Sequence, residues 1–412
     1  MIEQTDRSRR VGTAAKLAVV AGIAVGGATM GSGVAHAAGI TGGNLLVCRV
    51  GSGTGSLVNT GNPVFLDEYS TTGTLVQSIA LPTAASGANK ALIASGTATS
   101  ECEVNLSTDG NYAVLTGYSA SPGGAASLSG TTAATVSRTI GRIKLSDGSV
   151  DTTTSLTDAV SANNPRAAMS TDGSSFWIVG GADGVRFANL GASTSNAVST
   201  TFTNIREIDV FGGQLYVSSG SSTLRLGSVG IGIPTTTGQA TTNLPGFPTT
   251  GSPYGFFFAD LDAGVAGVDT LYVAEDTASG GQIQKYALVA GTWTAKGSAT
   301  AAAVRGLTGS VSGSTVTLYG STGGSGATGG GALYKFVDSS GYNAVASGAA
   351  ASLGTGAGAN TAFRGLALAP SSQTPPADVP EAPWAILIPI SALLVGLGAI
   401  TIRRRTQPPA TA

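Results

Sequence analysis

The chain has 412 residues and a formal net charge of −1, with 62 glycines, 6% aromatic and 10% charged residues. Ordinary globular proteins carry about 25% charged residues, so this surface is sparse in charge. Nucleic-acid binding, which needs clustered Lys and Arg, is thereby disfavoured. The surplus of Gly, Ser, Thr and Ala suits short strands joined by many turns. No long 3.6-residue periodicity occurs between the two ends of the chain.

In chain order, Arg7, Arg9, Arg10 and Lys16 come first, followed by a small-residue apolar run from Leu17 to Ala35-His36-Ala37. This is the pattern of a secretory signal peptide, cut after Ala37, and residues 1–37 are assigned to it. A retained N-terminal anchor is the alternative. Arg9-Arg10 also admits the twin-arginine route, although its flanks match poorly.

Residues 38–370 read as an all-β repeat domain. Its first unit holds NLLVCRVG (44–51) and PVFLDEYSTTGTLVQSIAL (63–81), with a turn at Gly73. Later units open with EVNLSTDGNYAVLTG (103–117), RAAMSTDGSSFWIVGG (166–181), REIDVFGGQLYVSSG (206–220), YGFFFADLD (254–262) and RGLTGSVSGSTVTLYG (305–320). Each is an apolar strand, a turn often made by Asp-Gly, and a second apolar strand. In tight hairpins both central residues need positive φ, which suits Asp-Gly. Second strand pairs follow at 140–154, 282–297 and 332–346, turning at Gly148, Gly291 and Gly341. Four antiparallel strands per repeated unit is the pattern of a β-propeller blade.

The first unit lacks an opening strand, and FRGLALA (363–369) lacks a partner. That segment matches VRGLTGS (304–310), which opens the preceding unit. The expectation is a propeller of about six blades, the first completed by the C-terminal strand, which leaves no free edge. Seven blades stay open, because the stretches 82–100 and 119–135 have room for another strand pair.

Beyond the domain come a Pro-rich linker with a sorting motif (371–383), an apolar run expected as a single transmembrane helix (384–402) and a basic cytoplasmic tail (403–412). Nineteen helical residues span roughly 28 Å, close to a bilayer core. Arg403, Arg404 and Arg405 would stay inside, placing the domain outside the cell. Loss of both ends removes seven bases and two acids, leaving 14 bases and 20 acids, net −6.

Val379-Pro380-Glu381, the single apolar run and the arginine cluster resemble the PEP-CTERM type of bacterial sorting tail. Ala382 stands where that family usually has Pro, and the resemblance covers residues 379–405 only. It implies a sorting protease that removes the span and leaves the protein at the surface or released; a permanent anchor is the alternative. No Leu-Pro-x-Thr-Gly is present for a sortase. The segments GVDTLYVAED (267–276), GQIQKYAL (281–288) and RGLTG (305–309) resemble exported bacterial surface proteins with propeller-like repeats. That resemblance implies a fold and a location, and no catalytic residue.

The one histidine, His36, falls in the signal. Ser-His-Asp triads, Cys-His pairs and histidine-ligated zinc or copper are therefore excluded from the mature domain. Cys48 and Cys102, on neighbouring units in an oxidising compartment, are expected to form a disulfide; two buried thiols are the alternative. The first position of each repeat is Arg364, Glu103, Arg166, Arg206, Tyr254 or Arg305. These six are expected as a ring at the mouth of a central channel, binding a carboxylate, sulfate or acidic sugar, with Glu103 and Glu207 as neutralising partners. Alternatively, the arginines bond backbone carbonyls between blades. Asp260, Asp262 and Asp269 offer hard oxygen ligands, so Ca²⁺ is a candidate cofactor. Trp177, Tyr254 and Trp293 offer surfaces for sugars or else pack within the core.

Two function classes result. The first is a non-catalytic binding or structural module at the cell surface, its partner a cell-envelope component or an extracellular, anionic or carbohydrate polymer. The second is an extracellular glycoside hydrolase or polysaccharide lyase working without histidine, with Glu103 and Asp209 as an example of a carboxylate pair.

Overall fold

A computed structural model describes residues 38–221, 223–276 and 280–371. The segments expected as signal peptide (1–37), apolar span (384–402) and basic tail (403–412), and all but the first residue of the expected linker with sorting motif (371–383), lie outside the described residues. Among the described residues no helix is long and apolar enough to cross a membrane. The regular helix there is a single 3-10 turn, Leu128–Gly130.

The protein is all-β and propeller-like, built from four-stranded antiparallel sets. Sheet one joins Thr361–Leu368, Leu45–Val50, Asn62–Tyr69 and Leu75–Ala80. Sheet two has Asn105–Leu106, Tyr112–Tyr118, Arg138–Lys144 and an outer strand in two pieces, Val150–Asp151 and Ser155–Leu156. Sheet three has Pro165–Met169, Ser175–Gly180, Val185–Asn189 and Asn196–Ser199. Sheet four has Ile205–Phe211, Gln214–Ser219, Leu226–Val229 and Thr241–Asn243. Sheet five has Pro253–Ala259, Thr270–Glu275, Gln282–Val289 and Thr292–Thr300. Sheet six has Gly306–Ser312, Thr315–Ser321, Ala332–Asp338 and Ala351–Gly356.

The apolar tetrads of the second strands show why these segments fold as they do. Successive side chains of a strand point to opposite faces, and a strand covered on both faces is apolar throughout. In sheet five Leu271 and Val273 enter the core toward sheet four, while Tyr272 and Ala274 enter the core toward sheet six. In sheet two Ala113 and Leu115 face sheet one, while Val114 faces sheet three. A hydrophobic cluster fills each junction in turn, from one–two through five–six. A further cluster joins Tyr319 and Leu333 of sheet six to Leu45, Tyr69 and Phe363 of sheet one. Each fully buried Leu, Val or Phe contributes roughly 1.5–3 kcal/mol.

The orphan C-terminal segment lies where its lack of a partner requires. Thr361–Leu368 pairs antiparallel with Leu45–Val50, Leu45 opposite Leu368 and Val50 opposite Ala362. It also packs beside the inner strands of sheets six and two, so the order of neighbouring inner strands returns to its start. Cys48 and Cys102 are joined by a disulfide between sheets one and two, with Cα atoms 6.2 Å apart.

Several expectations need correction. No second strand pair forms in 82–100 or 119–135. Ile93–Ala94 instead bridges Asn62–Tyr69 and Tyr112–Tyr118, fusing sheets one and two into one eleven-stranded ladder. In sheet six the outer strand is Ala351–Gly356, well beyond the turn at Gly341. The hairpin turns at Asp109-Gly110 and Asp172-Gly173 use positive φ at Gly alone. Their aspartates act as side-chain caps, Asp109 Oδ1 accepting from Asn111 N–H and Asp172 Oδ1 from Ser174 N–H.

Candidate functional site

The six first-position residues meet in one circle. Glu103 N–H donates to Arg166 O, and Gly365 N–H donates to Cys102 O. Arg166 Nη1 reaches Asn204 Oδ1 at 2.7 Å and Ile205 O at 3.0 Å. Arg206 Nη1 reaches Ser252 Oγ at 2.7 Å and Pro253 O at 3.2 Å. The Tyr254 ring lies between two guanidiniums, Arg206 at 4.2 Å and Arg305 at 4.6 Å from its centroid. Gly255 N–H donates to Arg305 O, Arg305 N–H to Ser321 O, and Ser321 Oγ to Arg364 O. These residues form a collar at the starts of the inner strands.

Glycine sets how tightly the collar closes. Gly255, Gly306 and Gly365 each follow a collar residue. A Cβ on Gly365 would lie 2.3 Å from Glu103 Oε2, and one on Gly255 would lie 2.6 Å from Leu307 N. The Arg-Gly and Tyr-Gly pairs thus combine a charged or aromatic head with a backbone that neighbouring strands can approach.

Arg166 and Arg206 fit the structural alternative, since each clamps the start of the next sheet. Arg364 is almost fully buried and donates to Phe363 O, Gly324 O and Gly96 O. Its Nε and that of Arg166 are buried without a hydrogen-bond partner among the described residues. Burial pulls the Arg364 guanidinium down to about 10, and lowers Arg166 and Arg206 as well. Arg305 alone of the four arginines makes an ion pair among the described residues, to Asp276 at 2.6 Å, and it also bonds Thr99 Oγ1. Thr99 went unnoticed in the sequence because it lies outside every repeat.

Two of the buried acids are Glu103, within the collar, and Glu207. The Glu103 carboxylate is buried and accepts no hydrogen bond among the described residues. Burial pushes it up to about 7, against the pull of Arg305, Arg364 and Arg166. Glu207, expected as an arginine partner, instead accepts from Asn105 Nδ2 at 2.9 Å and from Ile208 N–H. Burial holds it well above the ordinary range, and the nearby Glu103 charge adds to this. Asn105 also donates to Ala168 O and Ile208 O, tying sheets two, three and four at the centre. Its neighbours in sequence give no hint of that role.

The other candidates are spread out. Asp269 accepts from Leu261 and Asp262 N–H groups, and Asp262 Oδ1 accepts from Gly264 N–H, so both carboxylates cap one turn. Asp260 is exposed. Among the described residues no three His, Cys, Asp or Glu side chains are grouped to hold a metal. Trp177, Tyr254 and Trp293 are buried at 3%, 8% and 5% exposure, which leaves little surface for a sugar.

No family model matches the chain, and no curated protein does. Similar solved structures include a nidogen/laminin complex, at 13% identity over 80% of this chain and 99% of that one, TM-score 0.42. TolB from Acinetobacter baumannii is 14% identical over 80% of this chain and 67% of its own, TM-score 0.44. The periplasmic gluconolactonase of Pseudomonas aeruginosa is 14% identical over 68% of this chain and 93% of its own, TM-score 0.33. Similarity at this level assigns no residue role to this chain.

Proposed function

We propose that residues 38–370 form an exported, six-bladed, ring-closed propeller that serves at the cell envelope as a non-catalytic binding module. Its collar takes an anionic ligand, a carboxylated or sulfated polymer. The observation that carries this reading is the collar itself: four guanidiniums at the starts of four inner strands have, among the described residues, a single ion pair, Arg305–Asp276. A bound carboxylate or sulfate would add to the counter-charge of Glu101 and Glu103 through charge-assisted hydrogen bonds. The Cys48–Cys102 disulfide supports export to an oxidising compartment. The basic start, the apolar run at 384–402 and the PEP-CTERM-like tail support delivery to the surface, with a membrane anchor until the sorting protease acts.

The test is binding of the purified protein to polygalacturonate, dextran sulfate and neutral dextran at several salt concentrations. The two acidic polymers should bind, and binding should weaken with salt. Arg206→Gln with Arg305→Gln should cost roughly 10- to 100-fold. Equal retention of neutral dextran would refute the anionic reading.

A second reading rests on the buried pair Glu103 and Glu207, whose raised values suit general-acid work. It makes the protein a glycoside hydrolase or lyase. Release of reducing ends that disappears in Glu103→Gln would favour it over the binding module.

A further inference from the structure

The far ends of the inner strands enclose a second feature, independent of the collar. A cavity of about 220 Å³ opens there, lined by residues from the inner strands of five of the six sheets. Asp209 stands three residues beyond Arg206, roughly 10 Å along the strand. No Lys or Arg lines this cavity. The Asp209 carboxylate is partly buried, and its one hydrogen bond among the described residues comes from the adjacent Val210 N–H at 2.7 Å. Phe211 and Phe257 form a corner of the wall, their rings 5.8 Å apart and nearly perpendicular. Both rings are partly exposed.

We propose that this axial cavity binds a small organic ammonium ion, with Asp209 as counter-ion and Phe211 and Phe257 as the aromatic walls. A partly buried carboxylate without a cation is costly, and an ammonium group relieves that cost. Aromatic faces attract the same charge through the ring quadrupole. An anion would meet Asp209 with no compensating base. A hard metal ion would find a single carboxylate, the other polar side chains of the lining, Asn105, Ser107, Thr108 and Thr308, being neutral. The volume, about that of seven waters at roughly 30 Å³ each, suits a small occupant. Burial pushes Asp209 up to about 7, in keeping with a carboxylate that lacks a cation.

The experiment is calorimetric titration of the full protein at pH 8 with choline, and with 3,3-dimethyl-1-butanol as its uncharged isostere. Choline should bind saturably, and the isostere at least ~10-fold more weakly. Asp209→Asn keeps the shape, removes the charge and should lose a similar factor. Phe211→Leu keeps the charge and should lose about 3-fold, which tests the site even if the Asp209 variant folds poorly. Equal binding of choline and its isostere would overturn the proposal. So would Asp209→Asn binding choline like the parent protein, or displacement of choline by millimolar Ca²⁺.

Discussion

The two ends of the axis treat charge in opposite ways. At the starts of the inner strands, Arg166, Arg305 and Arg364 act on Glu103, and Arg166, Arg206 and Arg364 are held by backbone carbonyls of the same or neighbouring sheets. At the far ends, Asp209 faces aromatic rings with one backbone donor and no base. The first end is cross-braced by its own charges; the second is left with a charge to satisfy. The collar arginines clamp strands through their Nη groups, while Arg166 Nε and Arg364 Nε have no partner among the described residues.

The comparison can be broken most severely at Arg364. Arg364→Met removes the donor to three carbonyls and strands the nearby acids Glu101 and Glu103, so it should cost roughly 3–5 kcal/mol in denaturant unfolding. A loss below 1 kcal/mol would mean that the collar is not a brace. Next is the covalent link beside the collar. Cys48→Ser with Cys102→Ser should cost about 2–4 kcal/mol and lower the melting temperature of the whole domain in one transition. Separate early melting of sheet one would show instead that the seam holds only one sheet.

The smallest effect concerns pH. Glu103 titrates near 7 in the folded protein, above its ordinary 4.5, with Glu207 shifted in the same direction and Arg166, Arg305 and Arg364 opposing. The folded state therefore holds this proton more tightly than the unfolded state. Stability is full below about pH 4.5, falls as pH rises and levels off above about pH 7, a change of up to about 3 kcal/mol. Glu103→Gln should flatten that stretch of the curve; an unchanged slope would locate the titration elsewhere.

Much of this was legible in the chain because strands leave a period-two imprint. NLLV, TLYV and QLYV marked second strands, and FRGLALA against VRGLTGS identified the segment that pairs with Leu45–Val50. Outer strands such as Val185–Asn189 and Thr241–Asn243 escaped notice, since they are short and polar on one side. Asn105, and its place as the partner of Glu207, were equally hidden. Their partnership joins residues more than a hundred positions apart across the axis, and no local pattern encodes such a contact.

Repetition and the absence of histidine after His36 follow from the order of amino acids alone, because burial on both faces and turn chemistry are local demands. Which arginines are spent on carbonyls, which carboxylates lack a cation and where a cavity opens were decided only when distant strands came together. Charge and hydrogen bonding depend on what lies within a few ångströms, and that neighbourhood exists only in the folded protein.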